Sequence, residues 1–292
     1  MGWFEQRAGL EGTVAIVTGG AGGLGRAIVT DLAANGVRVA VVDIDPEAAD
    51  ELRSELAGGG LDAVVSVGDA RDPAVLEALF VAADDRWGRL DTLVNVVGGT
   101  FNAPFADTTP KGWDALLRTN LTHVLHACSL AIPRMRAGGR GGSIVNVSTI
   151  EAHRAAPGFA VYSAAKAAVE QFARTLAVEL GPDGIRVNNV APDVVPTPNM
   201  GKLAGPAFAA AISPDTIRVG IPMARAGVPT DVSGCVVFLA SGLSSYVTGT
   251  TLHPDGGTFA SSGWFKWPDT GWANFPPVGL IEGRRPDTEE SS

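Results

Sequence analysis

Short apolar runs of strand length alternate along most of the chain with longer segments whose apolar residues recur at helical spacing. The runs are Val14–Thr18, Val37–Asp43, Ala63–Val67, Thr92–Val96, Ser143–Ser148, Ile185–Val190 and Thr251–Pro254. Between them the spacing predicts helices over Gly23–Asn35, Pro46–Leu56, Pro73–Trp87, Trp113–Met135, Val161–Leu180 and Thr230–Leu239. A continuous apolar run suits a strand buried on both faces, which parallel sheets require. Strand–helix alternation with right-handed crossovers then predicts an α/β fold, a doubly wound parallel sheet of about seven strands with helices on both faces. There is no repeat of fixed period and no interior low-complexity linker. The expectation is a single domain over residues 1–262, followed by an aromatic-rich extension over 263–292.

Composition narrows the partners. A hydrophobic content of 46% and 37 glycines fit a buried sheet with many tight turns. The net charge of −9 argues against nucleic acid or an anionic membrane, both of which call for a basic face. The first twelve residues lack a signal-peptide core, no apolar run reaches the ~18 residues of a membrane span, and Cys128 and Cys235 fall in helical segments. A soluble, cytoplasmic protein is expected. His123, His126 and Cys128 sit three and two residues apart, a spacing that does not converge on one ion, so no metal is expected.

The first strand-to-helix turn reads Thr18-Gly19-Gly20-Ala21-Gly22-Gly23-Leu24-Gly25. Glycines there permit positive φ and let backbone N–H groups approach a pyrophosphate at the helix N-terminus. Asp43 ends the second strand, where a carboxylate accepts from ribose hydroxyls. Position 44 is Ile and position 22 is Gly, so no neighbouring cation awaits a 2′-phosphate; NAD(H) is favoured over NADP(H).

Tyr162 and Lys166 lie four residues apart on one helical face, downstream of Ser148-Thr149. A cation at that distance favours the phenolate and should lower the tyrosine pKa from about 10 by roughly 1–3, toward values useful for proton transfer.

Together these features resemble the short-chain dehydrogenase/reductase family, over roughly residues 10–260. Thr18–Gly25 resembles its TGxxxGxG turn, a Rossmann-type signature that puts Gly19, Gly22, Gly23 and Leu24 on the cofactor. Asp69-Ala70 resembles the family acid and neighbour beside the adenine. Asn95-Val96-Val97-Gly98 stands where the family has NNAG, departing at Val96 and Val97. Ala191-Pro192-Asp193 resembles the loop after the sixth strand, with Asp193 in place of the usual glycine; Val195 and Thr197 then resemble the carboxamide-binding residues. The resemblance implies Tyr162 as acid/base, Lys166 as its electrostatic partner and ribose anchor, and Asn120 as holder of a relay water. It implies a hydroxyl residue as carbonyl orienter and a homotetramer as the assembly. The family spacing of thirteen residues before Tyr162 points to Thr149, while a shifted loop would present Ser148.

The polar loop Ile150–Arg154 brings Glu151 and His153 near a substrate, or leaves them solvated. Met200 opens a Pro-, Ala- and Gly-rich lid segment ending at Ile221. That apolar lid suggests a hydrophobic alcohol or ketone of steroid, terpene or acyl type. A 3-oxoacyl-(carrier protein) reductase is the alternative enzyme, and a non-catalytic NAD(H)-binding sensor or scaffold the alternative of another class. Trp264 to Phe275 shows no regular period, and its aromatics are expected to pack on a neighbouring subunit near the substrate entrance.

Overall fold

The apolar runs become strands because their β-branched residues suit a pleated surface that is covered on both sides. A computed structural model describes residues 2–198, 212–268 and 270–277. Its main sheet has seven parallel strands in the order β3-β2-β1-β4-β5-β6-β7. They are β1 (Val14–Thr18), β2 (Arg38–Asp43), β3 (Ala63–Val67), β4 (Thr92–Asn95), β5 (Gly142–Val147), β6 (Ile185–Val190) and β7 (Thr251–Leu252). Successive side chains point to opposite faces. Ala15 and Val17 therefore join a core with α2 (Gly23–Ala34), α3 (Pro46–Gly58) and the helix Pro229–Ala240. Ile16 joins a second core on the other face with α4 (Pro73–Trp87), α6 (His123–Gly138) and α7 (Ala160–Leu180). Ile16 and Phe80 are fully buried, and each such side chain contributes about 1.5–3 kcal/mol by leaving water.

Local chemistry fixes the helix starts. Asp45 accepts from the Glu47 and Ala48 amides, Asp72 accepts from that of Ala74, and a proline follows each cap. Two expectations are corrected. The helix expected over Trp113–Met135 is α5 (Pro110–Leu117) and α6 joined by a π-helical turn, Arg118–Thr122. The buried Asn120 side chain donates to the Leu116 carbonyl at 2.9 Å and widens the helix there. The tail forms an antiparallel hairpin, β8 (Phe265–Trp267) with β9 (Gly271–Ala273), packed against the helix Pro214–Gly220. Three-residue strands are too short to leave a visible period. An amino-terminal helix, α1 (Trp3–Ala8), was also not foreseen. Among the described residues no helix is long and apolar enough to cross a membrane.

Candidate active site

The strand order reverses between β1 and β4, and a doubly wound sheet opens a crevice at the carboxyl ends of such strands. A cleft of about 550 Å³ occupies that place. Its floor is the turn after β1. A Cβ on Gly25 would lie 1.9 Å from the Gly19 carbonyl oxygen, and Gly19 has φ +67°, so these two positions admit only glycine. Gly22, Gly23 and Leu24 line the cleft. Gly22 caps α2 without a side-chain acceptor, which leaves first-turn amides free for an anion.

Asp43 lines the same cleft and is locked to the turn: its Oδ2 accepts from the Ala21 amide at 2.9 Å and its Oδ1 from Asp45 at 3.1 Å. Arg26 on α2 is held by Glu51 and Glu55 at 2.9 and 2.8 Å, and Ile44 is exposed. Ala70, Gly98, Pro192, Val195 and Thr197 also line the walls.

Two of the expected cofactor residues have partners within the protein. The Asp69 carboxylate, held below its usual range by Arg71, takes that guanidinium through Nε at 2.9 Å and Nη2 at 2.7 Å. It still lines the cleft, with its side chain 36% exposed. Asn95 is buried away from the cleft, where its Nδ2 donates to Asn146 at 2.9 Å; it ties β4 to β5.

At the deep end, Tyr162, Thr149 and Lys166 share one wall. Burial pushes the Tyr162 phenol up to about 12; hydrogen bonding to the Thr149 hydroxyl opposes this and the Glu151 carboxylate adds to it. The Lys166 ammonium, brought down to about 8 by burial, donates to the Val147 carbonyl at 2.8 Å. This corrects the acidified tyrosine expected from spacing alone. One helical turn places both groups on one face, but β5 claims the ammonium and the protein interior resists the phenolate. Asn120 braces the cleft wall: its Nδ2 donates to the Gly99 carbonyl at 2.8 Å and its Oδ1 accepts the Gly99 amide at 3.1 Å. A Cβ on Gly98 would sit 3.2 Å from Lys166 Nζ and 3.3 Å from Asn120 Oδ1.

The two candidate hydroxyls part company. Ser148 Oγ donates to the buried Glu170 carboxylate at 2.6 Å, while Thr149 faces Tyr162. Glu151 lines the cleft with Asp193, whose carboxyl is pushed up by burial. Arg154 bridges both acids, at 2.7 Å to Glu151 and 3.5 Å to Asp193. His153 lies outside the cleft, its Nε2 2.8 Å from Glu170 Oε2 though not in line for a ring N–H bond, and its ring against His253 and Phe259. It lines a second cavity of about 580 Å³ that shares Glu151 and Phe159 with the first and takes Phe265 from the tail hairpin. The hairpin thus packs on its own subunit, with Trp264, Trp272 and Phe275 still exposed. Met200 lies outside the described residues.

His123 is buried on α6 with neither ring nitrogen in an aligned hydrogen bond, and burial brings it down to about 3. Among the described residues no three His, Cys, Asp or Glu side chains converge on a point that could hold a metal. Sequence reasoning missed Glu170, and it reached Arg154 only as a surface partner of Glu151, a pair the structure contains. Glu170 continues the four-residue step from Tyr162 through Lys166, and that spacing was the available signal.

Comparison with known proteins agrees with this geometry. The family model described as enoyl-(acyl carrier protein) reductase matches residues 19–258. A 3-oxoacyl-[acyl-carrier-protein] reductase of Thermotoga maritima is 38% identical over 250 residues, covering 85% of this chain and 98% of that protein. A cyclohexanol dehydrogenase of a Rhodococcus species is 37% identical, covering 85% and 96%. The crystal structure of levodione reductase superposes with a TM-score of 0.80 at 31% identity, covering 86% of this chain and 99% of that one.

Proposed function

Since this chain belongs to the short-chain dehydrogenase/reductase family, whose members bind a nicotinamide cofactor, we propose that it is an NAD(H)-dependent oxidoreductase interconverting a secondary alcohol and a ketone. The observation that carries the reading is the convergence of Tyr162, Thr149 and Lys166 at one end of a cleft whose other end presents Asp43. The cleft fits a dinucleotide: Gly19 and Gly25 admit no side chain in the turn, and the start of α2 offers free amides. When bound, the nicotinamide supplies or receives the hydride.

The remaining chemistry belongs to the chain's own side chains. In ketone reduction the neutral Tyr162 phenol delivers a proton to the substrate oxygen, and the Thr149 hydroxyl donates a second hydrogen bond as negative charge develops there. In alcohol oxidation the phenolate form of Tyr162, which the positive charge of Lys166 favours, takes the proton instead. Lys166, at about 8, is roughly nine-tenths protonated at neutral pH and supplies a fixed positive charge under the site. Asn120 holds the Gly98–Gly99 backbone against that charge.

Asp43 supports NAD(H): its carboxylate repels a 2′-phosphate, and the nearest arginine on α2 is already paired with Glu51 and Glu55. Initial rates with NAD+ and NADP+ test this. The parent should prefer NAD+ and Asp43→Ala should lose that preference; a parent that prefers NADP+ overturns it. The Thermotoga relative supports the carrier-protein reductase as a second reading, which predicts turnover of a 3-oxoacyl thioester with NADPH.

The lid behind a steroid, terpene or acyl substrate includes residues 199–211, outside the described residues. Glu151 and Asp193 on the described wall favour an alcohol carrying further hydroxyl or ammonium groups. Higher kcat/KM for 1,2-cyclohexanediol than for cyclohexanol supports that choice, and the reverse order rejects it. A cytoplasmic homotetramer completes the proposal, supported by exposed Leu117, Leu125 and Val178 on α5, α6 and α7. The Trp264–Phe275 segment is assigned to the entrance, so removing residues 263–292 should alter KM or sedimentation.

A further inference from the structure

We propose that Glu170 is the positioning residue of this site: it clamps the start of loop 148–153 to α7 through Ser148 and so fixes where Thr149 meets Tyr162. The inference rests on the roles given above to Tyr162 and Thr149.

Tyr162, Lys166 and Glu170 are spaced by four on one helix and form a single stripe, from which Lys166 reaches Val147 and Glu170 reaches Ser148. Glu170 is 1% exposed. A carboxylate in that position costs several kcal/mol unless donors surround it. Ser148 Oγ donates to Oε1 at 2.6 Å, Thr251 Oγ1 donates to Oε2 at 3.2 Å, and His153 Nε2 lies 2.8 Å from Oε2. Ser148 immediately precedes Thr149, and His153 closes the 3-10 turn Ile150–Ala152. One anion therefore holds the entry of the loop by a hydrogen bond from Ser148 and lies against His153 at its exit, and that loop carries both Thr149 and Glu151.

The grip is anchored across the sheet. Asn95 Nδ2 donates to Asn146 at 2.9 Å, Asn146 Nδ2 to Asn189 at 3.1 Å, and Asn189 Nδ2 to Thr251 Oγ1 at 3.2 Å. Each link donates toward Glu170, so the side chains at the ends of β4, β5, β6 and β7 are polarised in one direction and strengthen one another. Glu170 also favours the charged form of Lys166. A residue needed only for packing would not require a buried charge at this point.

Glu170→Gln keeps the shape and removes the charge; Glu170→Asp keeps the charge on a shorter arm. Cyclohexanol with NAD+ is the activity probe, NADH fluorescence reads cofactor binding, and Tyr162→Phe is the reference. In Glu170→Gln, NADH affinity and circular dichroism should match the parent while kcat falls roughly 10–100-fold, as for a reacting group displaced by about 1 Å. The alkaline limb of kcat/KM for NAD+, which reports the free enzyme, should move to lower pH as Lys166 loses its anion. Glu170→Asp should recover part of kcat.

A substrate-free reading comes from the 13Cζ resonance of Tyr162 in labelled, NAD+-saturated Tyr246→Phe protein. Both Glu170→Gln and Ser148→Ala should raise the pH at which it titrates, because Thr149 no longer favours the phenolate. If Glu170→Gln does not fold, Ser148→Ala alone decides through that resonance. Parent-like kcat, pH limb and resonance with Tyr162→Phe inactive reject the clamp but keep the function. An active Tyr162→Phe rejects the function itself.

Discussion

The free enzyme should hold Tyr162 protonated far above the range of an ordinary phenol. Burial is the largest influence and takes the group from 10.0 to about 12. At about 1.4 kcal/mol per pH unit, the interior disfavours the phenolate by about 3 kcal/mol. The chain has two tyrosines, and Tyr246 is fully exposed. Tyr246→Phe therefore leaves Tyr162 as the single phenol, and tyrosinate absorbance near 295 nm reads it directly. At pH 11 a phenol titrating near 12 is about one-tenth ionised, whereas one near 10 is about nine-tenths ionised. Circular dichroism at each pH separates titration from unfolding. The sign for stability follows: between pH 10 and 12 the folded chain keeps a proton that the unfolded chain has released. Stability should accordingly fall by about 3 kcal/mol across that window. Glu151→Gln should lower the titration point, since its carboxylate opposes the phenolate, and saturating NAD+ should lower it further by adding positive charge. A folded, cofactor-free protein half-ionised near pH 10 would refute the reasoning, because burial would then not dominate.

Three further outcomes follow from the same geometry. Thr149→Ala should cost roughly 10²–10³ in kcat, in line with loss of one hydrogen-bond donor to a developing oxyanion, while Thr149→Ser should retain most activity. Steady-state rates decide between them. Lys166 titrates at about 8 in the fold against 10.5 outside it, so the unfolded chain holds the proton more tightly. Relative to Lys166→Met, the parent should gain about 3 kcal/mol of stability as pH rises from 8 to 10.5, and none below 8; denaturant midpoints at several pH values check this. Gly25→Ala would drive a methyl group into the Gly19 carbonyl. It should cost about 1–3 kcal/mol of stability or more and weaken NADH binding, read by thermal melting and fluorescence.

The sequence by itself determined the alternation of strands and helices, the glycine turn and the spacing of Tyr162 and Lys166. Those features are local: burial on two faces writes continuous apolar runs, a helix writes a period of about 3.6, and a crowded turn admits only glycine. What side chains do with their charges and hydroxyls depends on partners distant in the chain, and only the tertiary structure decided that. Ser148 is drawn off by Glu170 twenty-two residues later, and Lys166 turns to a carbonyl of β5 nineteen residues before it. The tyrosine shift reverses direction for the same reason. A neighbouring cation can be counted along a helix, but the water excluded by packed strands and loops cannot.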